Sequence, residues 1–267
     1  MAITPKTGPS GGEWSRCPAC AEILPKIEVH DRHQVCPGCG YHYPIDLLDR
    51  LRLLLDAGSF LPQEPELATT DLLRWKGAGK YKNQLVAARK VSGSDESVCA
   101  GEGSIEGRPV AVAVVDGDFL EGSLGCVAME RLCRVFQRAE SGRMPAVVVT
   151  GGARLRHAEG AVGMSQLTRL AEARERLRAA GGLFLSVIVR PLPTGAACAY
   201  AFSGDVNLAE PGVGDPDLSL EEPDVDFDGA PADGGAPDRL LATGLVDRIV
   251  PRSALKQELS RLMGLLA

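Results

Sequence analysis

Two Cys-x-x-Cys pairs, Cys17-Pro-Ala-Cys20 and Cys36-Pro-Gly-Cys39, stand fifteen residues apart near the start of the chain. No other feature restricts a local fold so tightly. Four thiolates at this spacing converge tetrahedrally on Zn²⁺, and the proline or glycine inside each pair favours the tight knuckle that turns backbone N–H groups toward sulfur. Cys17, Cys20, Cys36 and Cys39 are therefore expected to hold a structural zinc ion with no open coordination position. Two redox-active or disulfide pairs are the lesser alternative at this spacing. His30, His33 and His42 lie close by, but four cysteines leave them packing or surface roles. The other cysteines, Cys99, Cys126, Cys133 and Cys198, are scattered and read as buried thiols.

A zinc ribbon alone does not choose between an enzyme and a nucleic-acid-binding module. Arg16, Lys26, Arg32 and His33 are offset by Glu13, Glu22, Glu28 and Asp31, so nucleic acid is the lesser reading. The net charge of −6 points the same way, although 29 Lys and Arg leave room for a local patch toward a phosphate-bearing ligand. With 45% hydrophobic and 24% charged residues, the chain has ample core-forming capacity. Met1 to Trp14 carries no apolar stretch of signal-peptide type, and no later run approaches eighteen apolar residues. No membrane partner and a cytoplasmic location are expected.

The organisation reads as a flexible arm over residues 1–14, a ribbon over 15–44 and one large α/β unit over 45–267. Asp46 to Ala57 has apolar residues at helical spacing and stops at Gly58. Val110 to Val115 and Ala146 to Thr150 are buried strand-like runs, with Cys126 to Ser141 reading as a helix between them. A helix over Ser165 to Ala180, a strand over Leu183 to Val189 and a closing helix over Arg252 to Leu266 follow. Strands alternating with helices imply parallel pairing through crossovers. Residues 212–237, rich in Asp, Glu, Pro and Gly, predict an acidic surface loop.

The ribbon is followed by Tyr41-His42-Tyr43-Pro44, the Arg50-Leu51 to Phe60 segment and Lys80-Tyr81-Lys82-Asn83-Gln84-Leu85. Next come Phe119-Leu120-Glu121-Gly122-Ser123-Leu124-Gly125, Gly151-Gly152-Ala153-Arg154, the Pro191 to Cys198 turn and Gly204-Asp205-Val206-Asn207-Leu208-Ala209-Glu210-Pro211. In this order the blocks resemble those of the carboxyltransferase beta subunit of bacterial acetyl-CoA carboxylase, from about Trp14 to Pro211, with a weaker return at Gly244 to Val250. The resemblance implies an α/β fold of the crotonase (ClpP/crotonase) type, a superhelix of stacked ββα units carrying the four-cysteine zinc ribbon at its N-terminus. It also implies an acyl-CoA substrate, a carboxyltransferase alpha-type subunit and a biotin carboxyl carrier protein in a hetero-oligomer. Carboxybiotin carried by that partner protein would deliver the carboxyl group, converting acetyl-CoA to malonyl-CoA. The chemistry then relies on backbone N–H groups aimed at developing oxyanions.

On that basis Gly151, Gly152 and Gly195 are the catalytic candidates, as turns bringing backbone N–H groups to the thioester. Ala153, Arg154, Gly122 and Gly125 are candidates for lining the acyl-CoA site, and Lys80 and Lys82, with Arg89 and Lys90, for meeting its phosphates. A plain strand-to-helix turn and a solvated helix face are the bland readings of the same residues.

The chain departs from the family pattern in four places. Thr194 replaces the first glycine of the second turn, and Glu121 stands where glycine is common. The loop after Arg154 is about two residues longer and contains His157 and Glu159. Residues 212–237 replace a Gly-Phe-Ala-Gly-Pro-Arg-Val stretch and its helix. Two alternatives stay open: a partner-independent acyl-thioester decarboxylase, hydratase or hydrolase using His157 or Glu159, and a non-catalytic zinc-ribbon scaffold subunit.

Overall fold

A computed structural model of the protein describes residues 14–63, 66–77, 79–152, 154–190, 198–213 and 240–267. The arm up to residue 13, most of the acidic stretch, Ala153, and the Pro191 to Ala197 turn with Thr194 and Gly195 lie outside the described residues.

The N-terminal unit pairs β1 (Trp14–Arg16) with β2 (Ile23–Pro25) in a two-stranded antiparallel sheet, followed by α1 (Lys26–Asp31). Its small core comprises Cys17, Leu24, Val29 and Cys36, with Tyr41 and Tyr43 packed against it. So few apolar side chains stabilise little by burial alone, so the metal is expected to supply much of the folding energy.

The body is a seven-stranded sheet in simple sequential order. β3 (Leu61–Pro62), β4 (Val98–Ile105) and β5 (Arg108–Val115) are antiparallel. From β5 onward the strands run parallel, through β6 (Ala146–Thr150), β7 (Phe184–Ile188), β8 (Val206–Ala209) and β9 (Arg248–Ile249). The continuous apolar run of β5 explains its place, because the strand is buried on both faces. Ala111, Ala113 and Val115 enter one core, against α4 (Cys126–Gly142) and α5 (Gly160–Ala179). Val110, Val112 and Val114 enter the other, against α2 (Leu47–Leu54) and α7 (Leu255–Leu266). Two further helices are α3 (Tyr81–Ser92) and the short α6 (Cys198–Ala201).

The periodicities agree with these elements to within a few residues. α2 starts at Leu47 because Asp46 caps it, its carboxylate accepting the Asp49 N–H at 2.7 Å. α5 begins five residues before the expected Ser165, because its first turns carry the exposed Val162 and Met164 and the apolar stripe starts later, at Leu170. The closing helix opens with a 3₁₀ turn over Arg252–Ala254. None of the described helices is long and apolar enough to cross a membrane.

Candidate functional site

Parallel sheets place ligand sites outside the carboxyl ends of their strands. Here that edge opens into a cavity of about 230 Å³, walled by Val115 of β5, Val149 of β6, and Gly151, Val189 and Arg190 just beyond β6 and β7. Tyr43 to Leu47, the segment joining the ribbon to α2, also lines it.

Gly151 follows β6 directly and is buried, and a Cβ there would lie 2.9 Å from the Arg190 carbonyl oxygen and 2.8 Å from Val189 Cγ2. The next residue, Gly152, sits at φ +62°. Gly151 lines the cavity and Gly152 follows it in the left-handed region, so the turn carries its main chain past the cavity with no side chain in the way.

The candidate Gly122 adjoins that turn. It lies at φ +71°, and a Cβ on it would stand 3.1 Å from the Gly151 carbonyl oxygen. Gly125 serves a different neighbour, since a Cβ there would strike Glu159 Oε1 at 2.4 Å and Arg156 Nη1 at 2.6 Å. Arg154 forms an ion pair with Glu121, linking the two glycine loops at the surface. Lys80 and Lys82 are exposed on α3 and its N-cap and do not line the cavity, while Arg89 is taken up by the Thr69 carbonyl (2.6 Å) and Asp95 (3.6 Å). α3 instead packs Tyr81 and Leu85 against Phe119 and Ala158, beneath the Gly122 loop.

His157 is exposed, whereas Glu159 is buried and fully engaged. It accepts the Tyr81 hydroxyl at 2.6 Å, the Arg156 Nη1 at 3.3 Å and, at 2.5 Å, the N–H of Cys126 at the start of α4. A carboxylate there complements the positive end of the helix. It also forecloses an activated thiol: burial first, then Glu159, pushes the Cys126 thiol up to about 12.

Two buried centres had no sequence signature of their own. One is Arg156 with Glu96; the other is Glu210, two percent exposed at the end of β8. Glu210 accepts from Arg252 Nε (3.0 Å) and Nη2 (2.8 Å), from Arg50, and meets His42 Nδ1 at 3.4 Å. Arg252 also donates to the His33 (2.9 Å) and Gln34 (3.2 Å) carbonyls, so this centre fastens the ribbon to the body beside the cavity. Arg190 adds a cation–π contact, 5.3 Å above the Tyr41 ring.

In the ribbon, Cys17, Cys20, Cys36 and Cys39 place their sulfurs within 4.8 Å of one another. The Cys17–Cys39 and Cys20–Cys36 separations are 3.7 and 3.8 Å. A tetrahedron with Zn–S bonds of ~2.3 Å has edges of about 3.8 Å, so the four thiolates fit zinc without rearrangement.

Solved structures with this arrangement define its class. The chain superposes on transcarboxylase 12S, crystallised with methylmalonyl-coenzyme A, with a TM-score of 0.60 at 20% identity, covering 88% of this chain and 42% of that one. A Pseudomonas malonate decarboxylase hetero-dimer gives 0.58 at 21% identity, covering 82% and 86%. The fold is that of the crotonase-like carboxyl transferases. Residues 47–206 match the carboxyl transferase domain, and residues 14–39 the acetyl-CoA carboxylase zinc finger domain. The acetyl-coenzyme A carboxylase carboxyl transferase subunit beta of Synechococcus sp. (strain JA-3-3Ab) is 37% identical over 95% of this chain and 82% of its own length. That of Rhodopirellula baltica is 35% identical over 96% and 82%. This chain belongs to the acetyl-CoA carboxylase carboxyl transferase beta-subunit family.

Proposed function

We propose that this protein is the acyl-CoA-binding, beta-type half of the carboxyl transferase of a biotin-dependent carboxylase, acting on acetyl-CoA to form malonyl-CoA in the cytoplasm. The observation that carries the reading is the Gly151–Gly152 turn after β6, whose Gly151 lines a cavity at the carboxyl ends of parallel strands and whose missing side chains let a thioester come close to the backbone N–H groups. The thioester oxygen gains negative charge as the acyl α-carbon loses its proton, and donors already held in place stabilise that charge without reorganising. Carboxybiotin, brought by a biotin carboxyl carrier protein and an alpha-type subunit, supplies the carboxyl group and the base. The residues of this chain bind and orient the thioester and, through the ribbon, cover it from water. Residues 15–44 act as the ribbon and 45–267 as the carboxyl transferase unit, with Gly195 contributing a second turn. Lys80 and Lys82, on the flank of the Gly122 loop, meet the phosphates of the bound coenzyme.

The test is reconstitution with an alpha-type subunit and a biotinylated carrier. Malonyl-CoA should form only when all components are present. Turnover of malonyl-CoA by the isolated chain would move the assignment to an independent thioester enzyme, and failure to bind any acyl-CoA would leave a scaffold role.

A further inference from the structure

Leu120, Glu121 and Gly122 follow one another in the left-handed region, at φ 46°, 57° and 71°. Glycine reaches that region freely, but Leu120 and Glu121 carry a side chain that crowds the backbone there. Strained turns of this kind persist only where the surroundings over-determine them, and they concentrate at functional sites. The surroundings here converge on one buried side chain.

Arg156 donates from Nη2 to the Ser123 carbonyl at 2.5 Å and from Nε to the Ser123 Oγ at 3.2 Å, while its guanidinium lies 5.4 Å above the Phe119 ring. Both ends of the left-handed turn are thus held by the same group. The Ser97 hydroxyl reinforces the hold, donating to the Ser123 carbonyl at 2.7 Å and lying 3.3 Å from Arg156 Nη2. The backbone around Arg156 belongs to the loop that carries Gly151 and Gly152. It pairs with the first loop, Leu124 N–H to the Arg154 carbonyl at 2.7 Å and Arg156 N–H to the Leu124 carbonyl at 3.0 Å. One residue therefore joins the two glycine loops through its main chain and grips the strained one with its side chain. The guanidinium is fixed in turn by Glu96, which accepts from both terminal nitrogens, and by Glu159. Arg156 is 5% exposed and Glu96 1%, so the pair is shielded from water and its planar, two-pronged geometry is not one a lysine ammonium reproduces.

We propose that Arg156, with Glu96 as its fixed counter-ion, is a positioning residue that sets the Gly122 loop against the Gly151–Gly152 turn and so shapes the thioester site from beneath. The proposal rests on the reading that this turn faces the acyl thioester. Arg156 does not line the cavity and acts only through the two loops.

Two variants test it in the complex with the alpha-type subunit. Arg156→Lys keeps the charge and loses the fork; Ser97→Ala removes a single hydroxyl of the same grip and is the milder change. Measured per folded, zinc-loaded chain, kcat should fall by roughly 10- to 100-fold in Arg156→Lys and by about threefold or more in Ser97→Ala, as expected for a small misplacement of an otherwise intact site. KM for acyl-CoA should stay within about threefold, because the cavity walls are untouched. Amide hydrogen exchange should accelerate at residues 122–125 and 154–156 while Val112–Val114 and Val147–Val149 stay protected. Wild-type kcat per folded molecule, or exchange that quickens equally in the core strands, overturns the proposal. Should Arg156→Lys not fold, Ser97→Ala decides on the same two readings. An inactive wild-type complex would instead overturn the functional reading, and the exchange pattern would still judge Arg156.

Discussion

His157 and Glu159 stand two positions apart in the loop after Arg154, and their surroundings send them to opposite roles. His157 is exposed. We expect His157→Ala to change kcat/KM by less than about threefold and to leave the pH profile near neutrality unaltered, where loss of a general acid or base removes roughly 10²–10⁴-fold. A steady-state pH series checks this. Glu159 is tied to Tyr81, Arg156 and the first N–H of α4, so its loss takes an acceptor from the Tyr81 hydroxyl and the Cys126 N–H, while Arg156 keeps Glu96. Glu159→Ala should cost about 1–3 kcal/mol of stability by urea titration. Gly151 is sensitive for a steric reason. In Gly151→Ala the new methyl group would meet the Arg190 carbonyl oxygen at 2.9 Å and displace the turn. Acyl-CoA affinity measured by calorimetry should fall by about tenfold or more, equivalent to about 1.4 kcal/mol.

Glu210 joins four elements: β8 through its own backbone, α2 through Arg50, the turn before α7 through Arg252, and the ribbon through His42. Burial alone would raise its pKa, but the His42 contact and the Arg50 and Arg252 guanidinium groups outweigh it and hold the carboxyl well below the usual range. An unfolded glutamate titrates at about 4.3. Because the folded value is the lower one, the stabilisation is fully present above that pH and is lost as pH falls toward the folded value. Unfolding free energy of the wild type should therefore drop through pH 5 to 3, and Glu210→Gln should be less stable at pH 7 with a shallower acid slope. Parallel acid slopes in denaturant titrations would count against the assignment. α4 and α5 need no such centre, since Leu132, Phe136, Leu170 and Leu177 bury their stripes against one another and the sheet.

Ribbon and body meet at the cavity, because Tyr43 packs against the ribbon core and also walls the site. Chelating the metal, or Cys36→Ser, should therefore do more than unfold a small appendage. We expect a lower thermal midpoint together with acyl-CoA binding weakened by about tenfold or more, while the far-UV signal of the sheet persists. Binding unchanged after verified zinc removal would separate the ribbon from the site. The ribbon ligands were legible from the chain alone because ligand spacing is a local property, and the same holds for β5, β6, β7 and α4, whose periods report burial directly. The Gly151–Gly152 turn was legible only through its family resemblance; a strand-to-helix glycine pair is otherwise mute. Arg156 and Glu96 lie sixty positions apart, and Glu210 and Arg50 a hundred and sixty. Nothing local distinguishes these residues from the charged side chains of the surface. Local spacing thus sufficed for the metal site and for the run from β5 through α4, β6 and α5 to β7, whereas the choice of which charges are buried, and with whom, came from packing, since a charge survives desolvation only where the fold delivers a partner to it.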